Sequence, residues 1–159
     1  MDPGAQRARA AIDAAGIDYS VTEHGPVASL TEAARARGLQ PGQVLKTIVV
    51  RRAADDFAFV LVPGGRSISW PKLRSHLGVS RLSMPDAAGA RAVTGYQRGT
   101  ITPFGSLRAW PVIADVAVPD GPVSIGGGAH GVAFTVEAAD LIAVLGATVA
   151  DVTDSEAPG

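Results

Sequence analysis

Two runs rich in β-branched and aromatic residues constrain this chain most. Residues 44–51 and 57–62 flank a short connection that holds Asp55-Asp56. Such runs around a polar turn predict a β-hairpin. Glycine and proline punctuate the rest. The sequence predicts a helix over 3–15, opened by Pro3 and stopped by Gly16. Ser29-Leu30-Thr31-Glu32 reads as a capping box for a short helix that ends at Gly38. Pro41-Gly42 is a turn, Pro71 starts a helix closed by Gly78, and Pro85 opens another helical turn or two. A last helix covers 137–145 and stops at Gly146. Further strands are expected over 17–23, 79–84, 110–116, 122–125, 131–136 and 147–152. Short strands mixed with short helices point to one compact α/β (α+β) domain with a mixed sheet over residues 1–152. Residues 153–159 read as a frayed tail.

Composition narrows the chemistry. A length of 159 residues suits one domain with its own core. There is no cysteine, which excludes disulfides, thiolate metal sites and a cysteine nucleophile. The formal net charge is -1, with +3 on residues 1–80 and -4 on residues 81–159. That balance argues against a strongly basic nucleic-acid-coating protein, although the basic half could meet an anionic partner. Charged residues interrupt the first helix, so it is not a secretory signal, and no apolar run is long enough to cross a bilayer. The expectation is a cytoplasmic protein without a membrane partner. His24, His76 and His130 lack metal-ligand spacing. No phosphate-binding Walker sequence is present, and Ser67 and Ser106 lack the nucleophile-elbow glycines.

Three places carry potential chemistry. Lys46 is one of two lysines and lies inside the 44–50 strand, on the face of Val44, Ile48 and Val50. It either snorkels outward or lines a pocket as an anion-binding cation. Gly95-Tyr96-Gln97-Arg98-Gly99-Thr100-Ile101-Thr102-Pro103-Phe104-Gly105 is a stiff, glycine-punctuated loop. It could be a plain connection, or could aim backbone N–H groups at an oxyanion. Gly126-Gly127-Gly128-Ala129-His130-Gly131 matches the dinucleotide-binding glycine pattern literally. The β-branched stretch after it denies that motif its helix, so it reads as a turn between strands. His130 on that turn is either exposed or ligand-facing.

Taken in order, these segments resemble the YbaK/prolyl-tRNA synthetase-associated editing domain family of aminoacyl-tRNA deacylases. The resemblance runs over roughly residues 10–152. It rests on Glu32-Ala33-Ala34, Val44-Leu45-Lys46-Thr47-Ile48-Val49, Thr94-Gly95-Tyr96 and Gly99-Thr100-Ile101-Thr102-Pro103-Phe104-Gly105. Its C-terminal part is Val123-Ser124-Ile125-Gly126-Gly127-Gly128, Asp140-Leu141 and Gly146-Ala147-Thr148-Val149-Ala150-Asp151. The resemblance implies a mixed β-barrel-like sheet surrounded by short helices. It also implies hydrolysis of the ester between a wrong amino acid and tRNA, with Lys46 anchoring the acceptor end and the 99–103 loop near the ester and the 2′-hydroxyl. Two departures stand out. YbaK-like members carry a basic pair where this chain has Ala129-His130, and an acidic side chain near Ala133. Thr47 after the lysine resembles the YbaK branch.

The expected site is therefore Lys46, Gly99, Thr100, Ile101 and His130 at the chemistry. Tyr19, Thr47, Thr102, Pro103, Gly126, Gly127 and Gly128 are expected to contact substrate, with no metal and no cofactor. An aminoacyl ester is already activated, so a protein need only orient water and stabilise the oxyanion, with the 2′-hydroxyl assisting. Arg51, Arg52, Arg66 and Arg98 are candidate phosphate contacts. The implied partners are an aminoacyl-tRNA acceptor end, with Cys-tRNA(Pro) or another small amino acid as substrate, and, as a second candidate, prolyl-tRNA synthetase. Oligomeric state is left open. The alternative is a non-catalytic module of the same fold that binds an acceptor end or a synthetase. A generic interaction domain would explain the composition but not the pairing of Lys46 with the loop.

Overall fold

The computed structural model describes residues 2–156. Helix α1 (Pro3–Ala15) is capped by the Asp2 carboxylate and ends at Gly16 with φ +73°. It leads into β1 (Tyr19–Glu23) and then α2 (Leu30–Ala36), whose Ser29 side chain accepts from the Glu32 amide. A 3-10 turn (Pro41–Gln43) delivers the chain to β2 (Leu45–Ala53), which pairs antiparallel with β3 (Asp56–Pro63). Then follow β4 (Arg66–Ile68), α3 (Trp70–Leu77) and α4 (Ala87–Thr94). The C-terminal part is β5 (Val112–Asp115), β6 (Pro122–Gly126), β7 (Val132–Glu137), α5 (Ala138–Leu145), β8 (Thr148–Ala150) and β9 (Thr153–Ser155).

The strands form three sheets, ordered β1-β7-β6, β2-β3-β5-β8 and β4-β9. In the largest sheet β2-β3 is antiparallel while β3-β5 and β5-β8 are parallel, so the mixed sheet is present. The strands do not close into a barrel. One parallel bridge, Val44 to Ser124, joins the two larger sheets. The space between them is filled by Ala8 and Ile12 of α1, Ala90 of α4 and Leu141 of α5.

β3 is central because both of its faces are apolar. Phe57, Phe59 and Leu61 enter the main core with Leu45, Val49, Phe134 and Ile125. Ala58, Val60 and Val62 enter a second core with Val50, Leu73 of α3 and Val152. A strand buried on both sides reads as a continuous hydrophobic run. That is the pattern of residues 57–62.

Two expectations change. Residues 79–84 were expected as a strand but make only one bridge, between Arg51 and Ser83. Leu82 and Met84 fall on one face as strand residues would, but Val79 does not share it, and the stretch meets β2 only at Ser83. The tail expected to fray from residue 153 is instead paired: Thr153, Asp154 and Ser155 lie opposite Ile68, Ser67 and Arg66. Lys72 of α3 holds it with ion pairs to Asp151 (3.1 Å) and Asp154 (2.9 Å). Residues 157–159 lie outside the described residues.

Candidate active site

A cavity of about 410 Å³ opens beside the first half of β2. Its wall is residues 44–49 on one side and Arg98, Gly99 and Ile101 on the other, with Gly126 at the end of β6. Arg37, after α2, and Asp86, the α4 cap, complete the polar lining. The strand lysine and the glycine-proline loop therefore meet at one volume. Lys46 is exposed at this wall. Neither its ammonium nor the Arg98 guanidinium has an ion pair or hydrogen bond among the described residues. Both charges are free to meet an anion.

The loop is held from outside the cavity. Arg7 of α1 donates to the carbonyl oxygens of Gly105 (3.0 Å) and Gly95 (2.9 Å), and its guanidinium lies 4.5 Å from the Tyr96 ring centre. The buried Tyr96 hydroxyl donates to the Phe104 carbonyl at 2.6 Å. Burial raises the Tyr96 phenol above its usual range, with the nearby Arg7 charge opposing. Leu107 N–H closes the loop base onto the Thr94 carbonyl at 3.0 Å. A segment tied at both ends and across its middle can present backbone groups without reorganising.

Within the loop, Thr100 spends both its N–H and its hydroxyl on the Gln97 carbonyl, at 3.0 and 2.7 Å. The turn this makes puts Gly99 at φ +87°, a left-handed conformation open to glycine. The amides of Gly99 and Ile101 donate to no acceptor among the described residues. Gly126 lets β6 approach the loop: a Cβ there would stand 3.1 Å from the Ile101 carbonyl oxygen and 3.5 Å from that of Thr100.

Arg37 was not foreseen. It is half-buried, and it donates to Ser124 Oγ (3.1 Å) and towards His24 Nε2 (3.4 Å). Desolvation holds its guanidinium pKa below the usual arginine range, a cost that an anion in the cavity would offset. Its position just before the stop at Gly38 resembles an ordinary helix end, so the sequence carried no signal for it. Asp86 was missed for a similar reason: its carboxylate caps α4 by accepting from Gly89 N–H at 2.7 Å. The Thr47 hydroxyl oxygen, in the cavity wall, is buried without a hydrogen-bond partner.

Of the expected residues, the cavity gathers Lys46, Thr47, Gly99, Ile101 and Gly126. Others lie elsewhere. Thr100 and Thr102 are buried within the loop, and Pro103 is half-buried. Gly127 pairs its N–H with Val132, and Gly128 lies against Gly4 of α1. Tyr19 packs edge-on against Phe134, and its hydroxyl bonds to Asp13 and Arg9. His130 lines a separate depression with Asp2, Arg9, Glu23 and His24. Its ring lies against the far side of Gly99: Cε1 is 3.5 Å from where a Cβ would be. Arg66 bonds to Thr153 and faces Asp115, and it does not line the cavity. Ala133 is fully buried in β7 between Thr22 and Gly126 and does not line the cavity.

The cavity is edged by β2 and gathers three cations beside a rigid loop with unused amides. The chain belongs to the aminoacyl-tRNA editing domain family, whose model matches residues 24–144. Among curated proteins it is similar to the "Putative Cys-tRNA(Pro)/Cys-tRNA(Cys) deacylase EbsC" of Enterococcus faecalis, at 22% identity over 80% of this chain and 79% of that protein. The fold matches a "putative trans-editing enzyme for prolyl tRNA synthetase" with TM-score 0.88 and 24% identity, over 98% of this chain and 99% of that one. It also matches, with TM-score 0.87 and 27% identity over 98% and 99%, a structure from work on epitope backbone grafting onto scaffold proteins. Among the described residues no helix is long and apolar enough to cross a membrane, and no His, Cys, Asp or Glu side chains gather as a metal cluster.

Proposed function

We propose that this chain is a trans-acting aminoacyl-tRNA deacylase that removes a small amino acid, in the manner of Cys-tRNA(Pro), from mischarged tRNA. The observation that carries the reading is that Lys46 lines one cavity of about 410 Å³ together with Gly99 and Ile101, whose amides have no acceptor among the described residues. That volume is within the usual range for a small-ligand site. Lys46, with Arg37 and Arg98, holds the phosphate of the acceptor end. The Gly99 and Ile101 N–H groups face the ester carbonyl.

Water adds to that carbonyl carbon and its electrons move to oxygen, where the two amides stabilise the charge. The tetrahedral species collapses, the bond to the ribose oxygen breaks, and the amino acid leaves as its acid. The proton lost by water goes to the departing ribose oxygen, relayed by the neighbouring hydroxyl of the same ribose. No side-chain nucleophile is required. His130, behind Gly99, supports the loop and is given no proton-transfer role.

The test is a panel of mischarged tRNAs, Cys-, Ala- and Ser-charged first, followed for loss of the ester. Lys46→Ala removes a charge-assisted contact of about 1.5–3 kcal/mol, a fall of roughly 10- to 150-fold in kcat/KM. An unchanged rate in that variant removes Lys46 from the mechanism. Saturable binding with no ester consumed across the panel replaces catalysis by the binding-module reading.

A further inference from the structure

A second basic depression lies beyond the cavity, and the mechanism above does not use it. Its volume is about 520 Å³, and its lining is Arg51, Arg52, Ala53 and Ala54 from the hairpin, Arg74 from α3, and the 80–83 segment with Arg81. No acidic residue lines it. Asp56 reaches only Arg52, at 3.6 Å, and the Arg52 Nε atom remains buried without a hydrogen-bond partner. Arg51, Arg74 and Arg81 carry no ion pair among the described residues. Four arginines line one depression with a single carboxylate, Asp56, near one of them, and like charges that share a depression disfavour one another. They are at home where a polyanion supplies the missing charge, and planar guanidinium forks suit phosphate. Ser80 and Ser83 add hydroxyl donors on the same wall.

The segment is fixed as well as charged. Arg51 and Ser83 exchange two backbone hydrogen bonds, of 2.8 and 3.2 Å, which hold the 80–83 stretch along β2. The same two strips of chain continue into the cavity. β2 lines the cavity with residues 45–49 and the groove with 51–53, and Met84, Pro85 and Asp86 follow directly on Ser83. From Lys46 to Arg51 the strand advances about 17 Å at ~3.4 Å per residue. A stacked strand of nucleic acid covers that length in roughly five nucleotides.

We propose that the groove of Arg51, Arg52, Arg74 and Arg81 is a docking site for an RNA phosphodiester backbone, taking the paired stem next to an acceptor end held in the cavity. The proposal rests on the deacylase reading for the placement of that end, but the groove's own chemistry is backbone neutralisation without base readout. Continuity with a cavity for a single-stranded end favours RNA over an acidic protein or a membrane. Contacts of this kind fix register and supply salt-dependent affinity.

The experiment uses the full chain and a fluorescent, uncharged acceptor-stem RNA hairpin ending in single-stranded CCA, with binding followed by anisotropy across a salt series. A short single-stranded CCA-ended oligonucleotide is the companion probe. In Arg74→Ala/Arg81→Ala the hairpin Kd rises at least tenfold at low salt, and the slope of log Kd against log salt falls by about 1.5–2. Affinity for the short oligonucleotide is unchanged. Arg74→Lys/Arg81→Lys keeps most of the slope and controls for a folding defect, with a far-ultraviolet melt on each variant. Unchanged hairpin affinity and slope overturn the proposal, and so does an equal loss for the short oligonucleotide. Loss of binding to phosphatidylserine vesicles or to an acidic peptide, with RNA binding intact, overturns it in favour of that other polyanion. Hydrolysis is not read, so a chain with no deacylase activity still passes or fails this test on its own. Conversely, ester cleavage with unaltered hairpin binding sinks the groove alone.

Discussion

Gly126→Ala probes the loop's position without touching a charged group. The added Cβ would stand 3.1 Å from the Ile101 carbonyl oxygen, and 3.5 and 3.7 Å from the oxygen and carbon of the Thr100 carbonyl. Ordinary contact begins near 3.4 Å, so the loop must retreat by a few tenths of an ångström. Gly126 does not have a positive φ, so alanine itself is unstrained there. The substitution also reduces unfolded-chain freedom, a stabilising effect of about 0.4–1 kcal/mol. Crowding in a packed site costs about 1–3 kcal/mol. The net loss of stability is therefore modest, about 0–2.6 kcal/mol.

Catalysis is more sensitive than stability to that retreat. Loss of one oxyanion donor costs about 2.7–4 kcal/mol; the Ile101 N–H is planar with the Thr100 carbonyl, which the new Cβ also touches, and adjoins the crowded Ile101 carbonyl through one Cα. A partial displacement should lower kcat tenfold or more, with KM changed little. The assay is single-turnover hydrolysis of a mischarged tRNA, paired with a urea melt of the same preparation. A stable variant with unchanged kcat would refute the assignment of the 99–101 backbone to the reaction. A parallel collapse of stability and rate would show only that the loop is packed.

Two further outcomes follow from buried polar groups. Tyr96→Phe leaves the Phe104 carbonyl without its donor and should cost about 1–3 kcal/mol. The folded-state phenol pKa lies above the ordinary 10.0. Its contribution is therefore complete below pH 10 and declines as pH rises through the folded value. Wild type should lose more stability than Tyr96→Phe in urea melts taken from pH 9 to 11, and parallel curves would contradict this. Asp115→Ala removes a buried carboxylate that accepts from Ala117 N–H (2.8 Å) and Val152 N–H (3.0 Å) and faces Arg66 at 3.7 Å. A loss of about 3 kcal/mol in chemical denaturation is expected, and a loss below 1 would mean that water replaces the carboxylate.

What the sequence disclosed about the fold is what is encoded locally. The hairpin was legible because residues 57–62 are apolar on both faces, and the helix stops because Gly16, Gly78 and Gly146 take left-handed φ at the caps. Lys46 could be singled out because an ammonium among Val44, Ile48 and Val50 needs a reason. What escaped was set by long-range partners. β9 has no hydrophobic pattern; it forms because β4 lies beside it and Lys72 reaches across from α3. The displacement of His130 and Tyr19 from the cavity also has no local signal. It follows from β1 pairing with β7, which turns both residues toward α1. Arg7 was silent for the same reason, since its partners are 88 and 98 residues away.

Net charge hides where the basic residues stand. A value of -1 argues against a strongly basic coat for nucleic acid, but it averages over the whole chain. The fold does the opposite of averaging. Arg37, Lys46 and Arg98 line the cavity, and Arg51, Arg52, Arg74 and Arg81 line the groove, so half of the 14 basic residues occupy two depressions along one strand. Asp86 is the one carboxylate that lines either. Over distances within a Debye length of about 8–10 Å, a phosphate meets that local field and not the total. A near-neutral protein can thus steer a polyanion to one edge while keeping the remainder of its surface indifferent to it. β2 links the two depressions: its first half supplies the lysine, its second half supplies two arginines, and its pairing with β3 fixes the spacing between them.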